Sequence, residues 1–461
     1  MTSRKIFFIL ITTLLITVFG VSLLPTQSAM RQDGSQIIPK IEEYLNAAAS
    51  QGFTGSALIS RDGKVLFSKG YGLANRELDV ANTTQTKFRI GSITKQFTAA
   101  AILLLQERGK LSVQDPLCKF FENCPSAWNG VTIHHLLTHT GGVPSYTSSP
   151  DYRTKMTMPE TVTSMIDRFK DKPLEFKPGE RMNYSNSGYF LLGYIIEKAS
   201  GESYEVFLQK NIFDPLKLNG TGYDHHSTIL KNRATGYSRD PEGGVINSLY
   251  LDMNQPYAAG SLYSTVEDLF AWNEALFSEK LLSAKSLEMM MTPFKNDYAY
   301  GLFINRAFGR KQVSHGGGIN GFNTVLTRFP DEKVTVVVLR NSDFGRLGPA
   351  PIANAMAAIL FGEKYELPRE RVAIKVNPAI YDAYVGQYEL GPNFILTFTR
   401  EGDKLMTQAT GQPKAEIFPE SETKFFLKDV DAQVTFVKDD KGTVTHLILH
   451  QGGDRKAMKI K

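Results

Sequence analysis

The chain has 461 residues, 42% of them hydrophobic and 21% charged, with 38 Gly and 21 Pro; this composition excludes a disordered or collagen-like protein and suits two domains better than one. The formal net charge of +5 falls to +3 (five less two) once the leader cations Arg4 and Lys5 are set aside, too little for a nucleic-acid footprint. Two cysteines exclude a disulfide framework and any cysteine-rich metal cluster.

Arg4 and Lys5 precede an apolar run from Ile6 to Leu24, then Pro25, Thr26, Gln27 and Ser28. Thr26 and Ser28 are small enough for the recognition positions of a signal-peptidase site, so residues 1–28 are expected to be a cleaved export signal. The alternative is an uncleaved anchor, because the 19 residues of the run just suffice to span a bilayer. Either way the remainder is expected outside the cytoplasm, in the periplasm or medium, with membrane contact only if the leader is retained. In such a compartment Cys118 and Cys124 either close a small loop or stay two thiols.

Ile37 to Ala49 has helical spacing, with Gly52 just past its end. Ser56–Ser60 and Lys64–Lys69 read as strands joined by Asp62-Gly63, a hairpin signal. Gln96 to Arg108 is strongly helical and stops at Gly109; a second helix runs from Gly188 to Ala199. Far downstream, Asn323–Phe329 and Val334–Arg340 form another hairpin, followed by a helix from Ile352 to Phe361 that ends at Gly362. The expected fold is therefore α/β: an antiparallel sheet assembled from both ends of residues 36–362 and flanked by helices, with a mostly helical insertion, Thr94 to Lys295. Residues 363–378 turn charged and proline-containing, as a linker does. Beyond them, 379–461 alternate as strand after strand (Phe394, Leu396 and Phe398, then Lys404–Gln408, then Val444–Leu449), which predicts a small all-β meander or barrel.

The chain has no G-x-S-x-G elbow, no phosphate-binding loop and no H-E-x-x-H helix. His135 and His139 are four apart but lack a third ligand, so no metal and no cofactor is expected. Ser92-Ile93-Thr94-Lys95 opens the helical run. A serine there lies at the positive end of the helix dipole, and a lysine three residues on shares its face; a buried lysine can lose its proton and serve as a base. The motif recurs by chance at Ser421 to Lys424, in the strand-rich tail. Tyr184-Ser185-Asn186 precedes the second helix and offers a phenol and an amide, although Tyr44-Leu45-Asn46 repeats that spacing within the first helix. His315-Gly316-Gly317-Gly318 follows a strand-like segment, Lys311 to Ser314, where glycines let a substrate lie along the backbone or simply make a flexible turn.

In the order Ser-x-x-Lys, Tyr-x-Asn, His-x-Gly, spaced by 92 and 131 residues, the chain resembles the penicillin-recognising serine hydrolases. The likeness is to the branch holding class C β-lactamases, DD-peptidases, D-aminopeptidases and β-lactamase-like esterases. The stretches His134–Gly142, Ala259–Ser264 and Tyr300-Gly301-Leu302 fit as well, and Tyr384–Tyr388 with Ala409–Pro413 resembles an appended lipocalin-like domain. The resemblance implies that Ser92 is acylated, that Lys95 and Tyr184 share the proton chemistry, and that Asn186 holds a substrate amide and orients Lys95. It also implies an oxyanion hole from the N–H groups of Ser92 and Gly318, beside Gly317. His315 stands where many relatives have lysine and Gly316 where they have a hydroxyl residue. His315 is expected to donate toward Tyr184 or the leaving group, and the site to favour neutral esters, amides or D-amino-acid peptides. The expected function is an exported serine hydrolase acting on a small molecule or peptide, or alternatively a penicillin-binding sensor that acylates without turnover.

Overall fold

Asp62 and Gly63 both take positive φ, 51° and 71°, the backbone that a two-residue type I′ hairpin turn demands. They join Gly55–Arg61 (β1) to Lys64–Tyr71 (β2) in the computed structural model, which describes residues 34–461 other than Pro241, Asn393, Asp429, Gly452 and Gly453. The expected leader, residues 1–28, lies outside the described residues.

Four further strands come from the far end of the domain: Phe303–Ala307 (β3), Arg310–Ile319 (β4), Phe322–Phe329 (β5) and Val334–Arg340 (β6). They complete a six-stranded antiparallel sheet in the order β3-β4-β5-β6-β1-β2. The seam between the chain's two ends is the β1–β6 pair, in register from Gly55↔Arg340 to Arg61↔Val334. Every residue of β6 is buried because the sheet is covered on both sides. Period-two alternation sends Val337 and Leu339 into one core and Val336 and Val338 into the other. Helices Gly34–Ser50 (α1) and Pro349–Phe361 (α5) supply the second core. Helices Thr94–Glu107 (α2), Asn186–Ser200 (α3) and Val266–Leu276 (α4) supply the first. Helix α2 is buried from Thr94 through Leu105, so it is held from all sides; Phe97 stacks on Trp272 at 4.0 Å.

Two details differ from the sequence reading. The insertion is not wholly helix and loop: Phe88–Arg89, Leu262–Ser264 and Gly222–Tyr223 pair as a small sheet, and Tyr237–Arg239 pairs with Val245–Asn247. Strands of two or three residues carry too little alternation to be recognised alone. The strand expected at Lys311–Ser314 runs on to Ile319 through all three glycines, because β5 pairs with it as far as Ile319↔Phe322; the segment is not a turn. Cys118 and Cys124 are joined, with Cα atoms 5.2 Å apart.

The tail closes into an eight-stranded antiparallel barrel. Its strands are Gly386–Gly391 (β7), Phe394–Glu401 (β8), Lys404–Ala409 (β9), Ala415–Pro419 (β10), Lys424–Phe426 (β11), Gln433–Lys438 (β12), Val444–His450 (β13) and Asp454–Lys459 (β14). Closure comes from Tyr388↔Lys459 and Glu389↔Met458. The barrel has a core of its own, separate from both cores of the sheet domain. The segment 363–377 has no helix or strand and is fastened to the barrel, through Arg371 on Glu420 at 2.8 Å and Ile374 N–H on Pro419 O at 2.9 Å. An ion pair ties Arg346 of the sheet domain to Asp431 at 3.5 Å. With separate cores, truncation after Gly362 is expected to leave a helical, cooperatively unfolding protein that an activated ester still labels. Circular dichroism and intact mass check this; a folded truncation that resists labelling would show that the barrel completes the site.

Candidate active site

Ser92 lies in a 3₁₀ turn, Gly91–Ile93, immediately before α2. Gly91 has φ 50°, and a Cβ on it would stand 3.0 Å from Gly318 N, so glycine is what lets this turn press against β4. One helical turn on, the Lys95 side chain is fully buried. Its Nζ lies 3.0 Å from Ser92 Oγ, 2.9 Å from Asn186 Oδ1 and 2.8 Å from Ala259 O. The rings of Tyr184 and Tyr189 flank it at 4.8 and 5.5 Å. Asn186 is the first residue of α3, whose N-cap Ser185 accepts the Gly188 N–H. The amide of Asn186 is pinned by its bond to Thr147 Oγ1 at 3.0 Å.

Among the described residues no carboxylate touches the lysine, and burial drives its pKa well below the ordinary amine range. Tyr184 moves the other way: burial raises its phenol, and a hydrogen bond with Ser92 only partly offsets that. An ordinary phenol, with pKa near 10, is already only ~0.1% ionised at pH 7, so Tyr184 here is a neutral phenol. The asymmetry has chemical content. Asn186 Oδ1 and Ala259 O only accept, so they take the two N–H groups of a neutral amine and leave its lone pair directed at the Ser92 hydroxyl.

Strand β3 pairs with β4 only as far as Phe303↔Ser314, so from His315 onward that edge of β4 is free and passes the Gly91 turn. A Cβ on Gly317 would meet Ile90 O at 1.9 Å, whereas one on Gly316 meets only Thr324 O at 3.5 Å. Gly317 is required by packing; Gly316 is not. The edge opens on a cleft of about 270 Å³ that Ser92, Asn186 and Gly318 line together with Tyr146, Tyr152, Leu251 and Ile319. None of the described residues lining it is Asp, Glu, Lys or Arg.

His315 does not make the expected bond toward Tyr184. It is buried, and burial above all lowers its pKa to about 3. The neutral ring donates from Nδ1 to Gly316 O at 2.6 Å and accepts the Tyr298 hydroxyl on Nε2 at 3.1 Å. Both nitrogens are therefore engaged, and the Tyr184 ring stands 6.2 Å away centre to centre. His139 packs on the Tyr184 ring at 4.1 Å and accepts the Ser185 N–H on Nδ1 at 3.2 Å. His135 Nδ1 accepts Thr132 N–H at 3.2 Å, as part of a helix cap. Tyr298 and Thr147 went unnoticed in the sequence, since nothing in their local pattern marks them; Ala259 stood out only as the start of a family-like stretch, which does not reveal the role of its carbonyl. The chance motif is a surface turn: Lys424 N–H donates to Ser421 Oγ at 2.9 Å, and its amine pairs with Glu420 at 3.5 Å.

A buried amine aimed at a serine hydroxyl beside two backbone edges is the apparatus of acyl transfer to serine. Comparison with known proteins agrees. The β-lactamase family profile matches residues 40–358, and a domain of unknown function, DUF3471, matches residues 370–459. Penicillin-binding protein 4* of Bacillus subtilis is 32% identical over 435 residues, covering 89% of this chain and 95% of that protein. The structure of the penicillin-binding protein homologue of Pyrococcus abyssi superposes with TM-score 0.66 at 31% identity, over 91% of this chain and 99% of that one. A D-stereospecific amidohydrolase from Streptomyces superposes with TM-score 0.61 at 25% identity, over 71% of this chain and 99% of that one. The chain belongs to the β-lactamase family of serine hydrolases, with a C-terminal DUF3471 barrel.

The two neighbouring glycines should respond differently to one methyl group. Gly317→Ala is expected to lower both thermal stability and serine labelling, because Ile90 must move. Gly316→Ala should leave both nearly unchanged. Melting temperature and labelling rate, measured on both variants, check this.

Proposed function

We propose that this protein is an exported hydrolase that cleaves neutral esters or amides, D-amino-acid amides and peptides among them, through an acyl-Ser92 intermediate. The observation that carries the reading is the Lys95 amine, 3.0 Å from Ser92 Oγ with both of its remaining neighbours pure acceptors. Lys95 takes the Ser92 proton as the oxygen attacks the carbonyl carbon. The N–H groups of Ser92 and Gly318 receive the developing oxyanion, a contribution of ~3 kcal/mol per donor. Collapse breaks the bond to the leaving group, which takes its proton from the Tyr184 phenol, resupplied by Lys95. Water then attacks the ester, gives up its proton by the same route and returns Ser92. Asn186 fixes the lysine, and its amide is placed for a substrate carbonyl. His315 holds Tyr298 behind Tyr184 as a neutral positioning residue.

Export is supported by the leader and by the Cys118–Cys124 bond, which suits an oxidising compartment. The neutral preference is supported by the cleft, where neither a cation for a carboxylate nor an acid for an ammonium stands among the described lining residues. A second reading, a penicillin-binding protein that acylates and stays acylated, is favoured by the name of the Bacillus relative. Stable adduct without turnover would select that reading.

Ser92→Ala is expected to abolish labelling by an activated ester in intact-mass measurements, and Ser421→Ala to leave it unchanged. Lys95→Arg should lose acylation by ~10²–10⁴-fold, since guanidinium cannot serve as a base. The base must be unprotonated, so the rate rises with pH through its pKa. Because burial lowers that pKa, the rise should level off well short of the pH at which an ordinary amine titrates; a rise continuing toward pH 10 would reject Lys95 as the base. His315→Lys with Gly316→Thr should shift kcat/KM toward carboxylate-bearing substrates. Faster hydrolysis of cephalosporins than of simple esters by the unaltered protein would overturn the neutral preference.

A further inference from the structure

The inside of the barrel is set by the same alternation that sets the sheet. At one end the rings of Tyr384, Phe398, Phe425 and Phe436 pack on one another, Tyr384 stacking on Phe436 at 4.3 Å, and fill it. One inward position further along the strands the side chains shrink: Leu396 follows Phe398, and Val434 follows Phe436. On the neighbouring β9 and β10 the inward positions are Ala409 and Ala415. The aromatic plug therefore gives way to a cavity of about 310 Å³ with a mainly aliphatic wall.

Among the described residues its lining carries one cation, Arg455. Arg455 sits two residues before the buried Ala457 on β14 and so shares its inward register. Among the described residues the Arg455 side chain has no hydrogen-bond or ion-pair partner, and no described Asp or Glu lines the cavity. We propose that the barrel is a binding site for a small amphipathic anion, an unbranched apolar chain of medium length ending in one carboxylate. The chain lies against Leu396 and Val434, and the carboxylate meets Arg455 at the rim. The volume stands at the lower end of ligand pockets, ~300–1,000 Å³, which suits a medium chain and excludes a long one. The cavity shares no lining residue with the Ser92 cleft, so this site is independent of the acyl chemistry.

Calorimetric titration of the full chain with decanoate, decanol and decyltrimethylammonium, all below micelle formation, tests the proposal. Decanoate should bind at one site per chain, and the ammonium more weakly than either of the others. Arg455→Gln should weaken decanoate about five-fold, the scale of an exposed ion pair, and leave decanol unchanged. Thr407→Trp, which fills the cavity from its wall, should remove decanoate binding while melting temperature and ester hydrolysis stay as in the parent. Should that variant fail to fold, Ala415→Leu occupies the same space. No saturable binding of decanoate, equal or tighter binding of the ammonium, or undiminished decanoate binding in a folded, filled variant would each overturn it.

Discussion

Burying an amine with no counter-ion is the constraint on which the rest of the site depends. A charged ammonium out of water and unpaired is unfavourable by several kcal/mol, so the interior around Lys95 favours the neutral amine. Three oxygens at 2.8–3.0 Å then fix where its two hydrogens and its lone pair point. Any carboxylate introduced nearby would restore the charge. The neighbours of Lys95 are accordingly an amide, a carbonyl, a hydroxyl and two phenol rings.

That interior is assembled from remote parts of the chain. Asn186 lies 91 residues and Ala259 164 residues beyond Lys95 in sequence. The sheet brings β4 against the Gly91 turn, and Thr324 of β5 donates to Ile90 O at 3.0 Å to lock the approach. On the proposed mechanism rigidity matters, because the two backbone donors must face one oxygen position. The three-layer packing of helices, sheet and helices thus acts on the chemistry by fixing two short backbone segments.

The departure at His315 and Gly316 has a consistent physical sense. A lysine at position 315 would bury an ammonium beside the Lys95 amine and need compensation. A neutral imidazole bound to Tyr298 needs none and continues a layer of aromatic rings, His139, Tyr184 and Tyr298. The barrel uses aromatic rings differently, as a plug at one end of an otherwise apolar cup. The two domains share little beyond the segment 363–377 and a few polar ties.

Much was legible in the sequence alone. Asp62-Gly63 between β-rich runs, the apolar run of β6, the all-apolar face of α2 and the alternating tail are local patterns, set by backbone geometry and side-chain period. The family motifs were equally local, so Ser92, Lys95, Tyr184 and Asn186, which the fold brings together, could be singled out without coordinates. Only the tertiary structure sets Lys95 and Tyr184 apart in proton affinity, because burial lowers the one pKa and raises the other, and burial depends on what distant segments pack around them. The same holds for His315, whose partner Tyr298 sits seventeen residues away across the β3–β4 region, and for the joining of Cys118 to Cys124. It holds too for the barrel, where the closing pair Tyr388↔Lys459 leaves no local trace. A short-range pattern fixes which way a side chain points; what it meets there is a property of the whole fold.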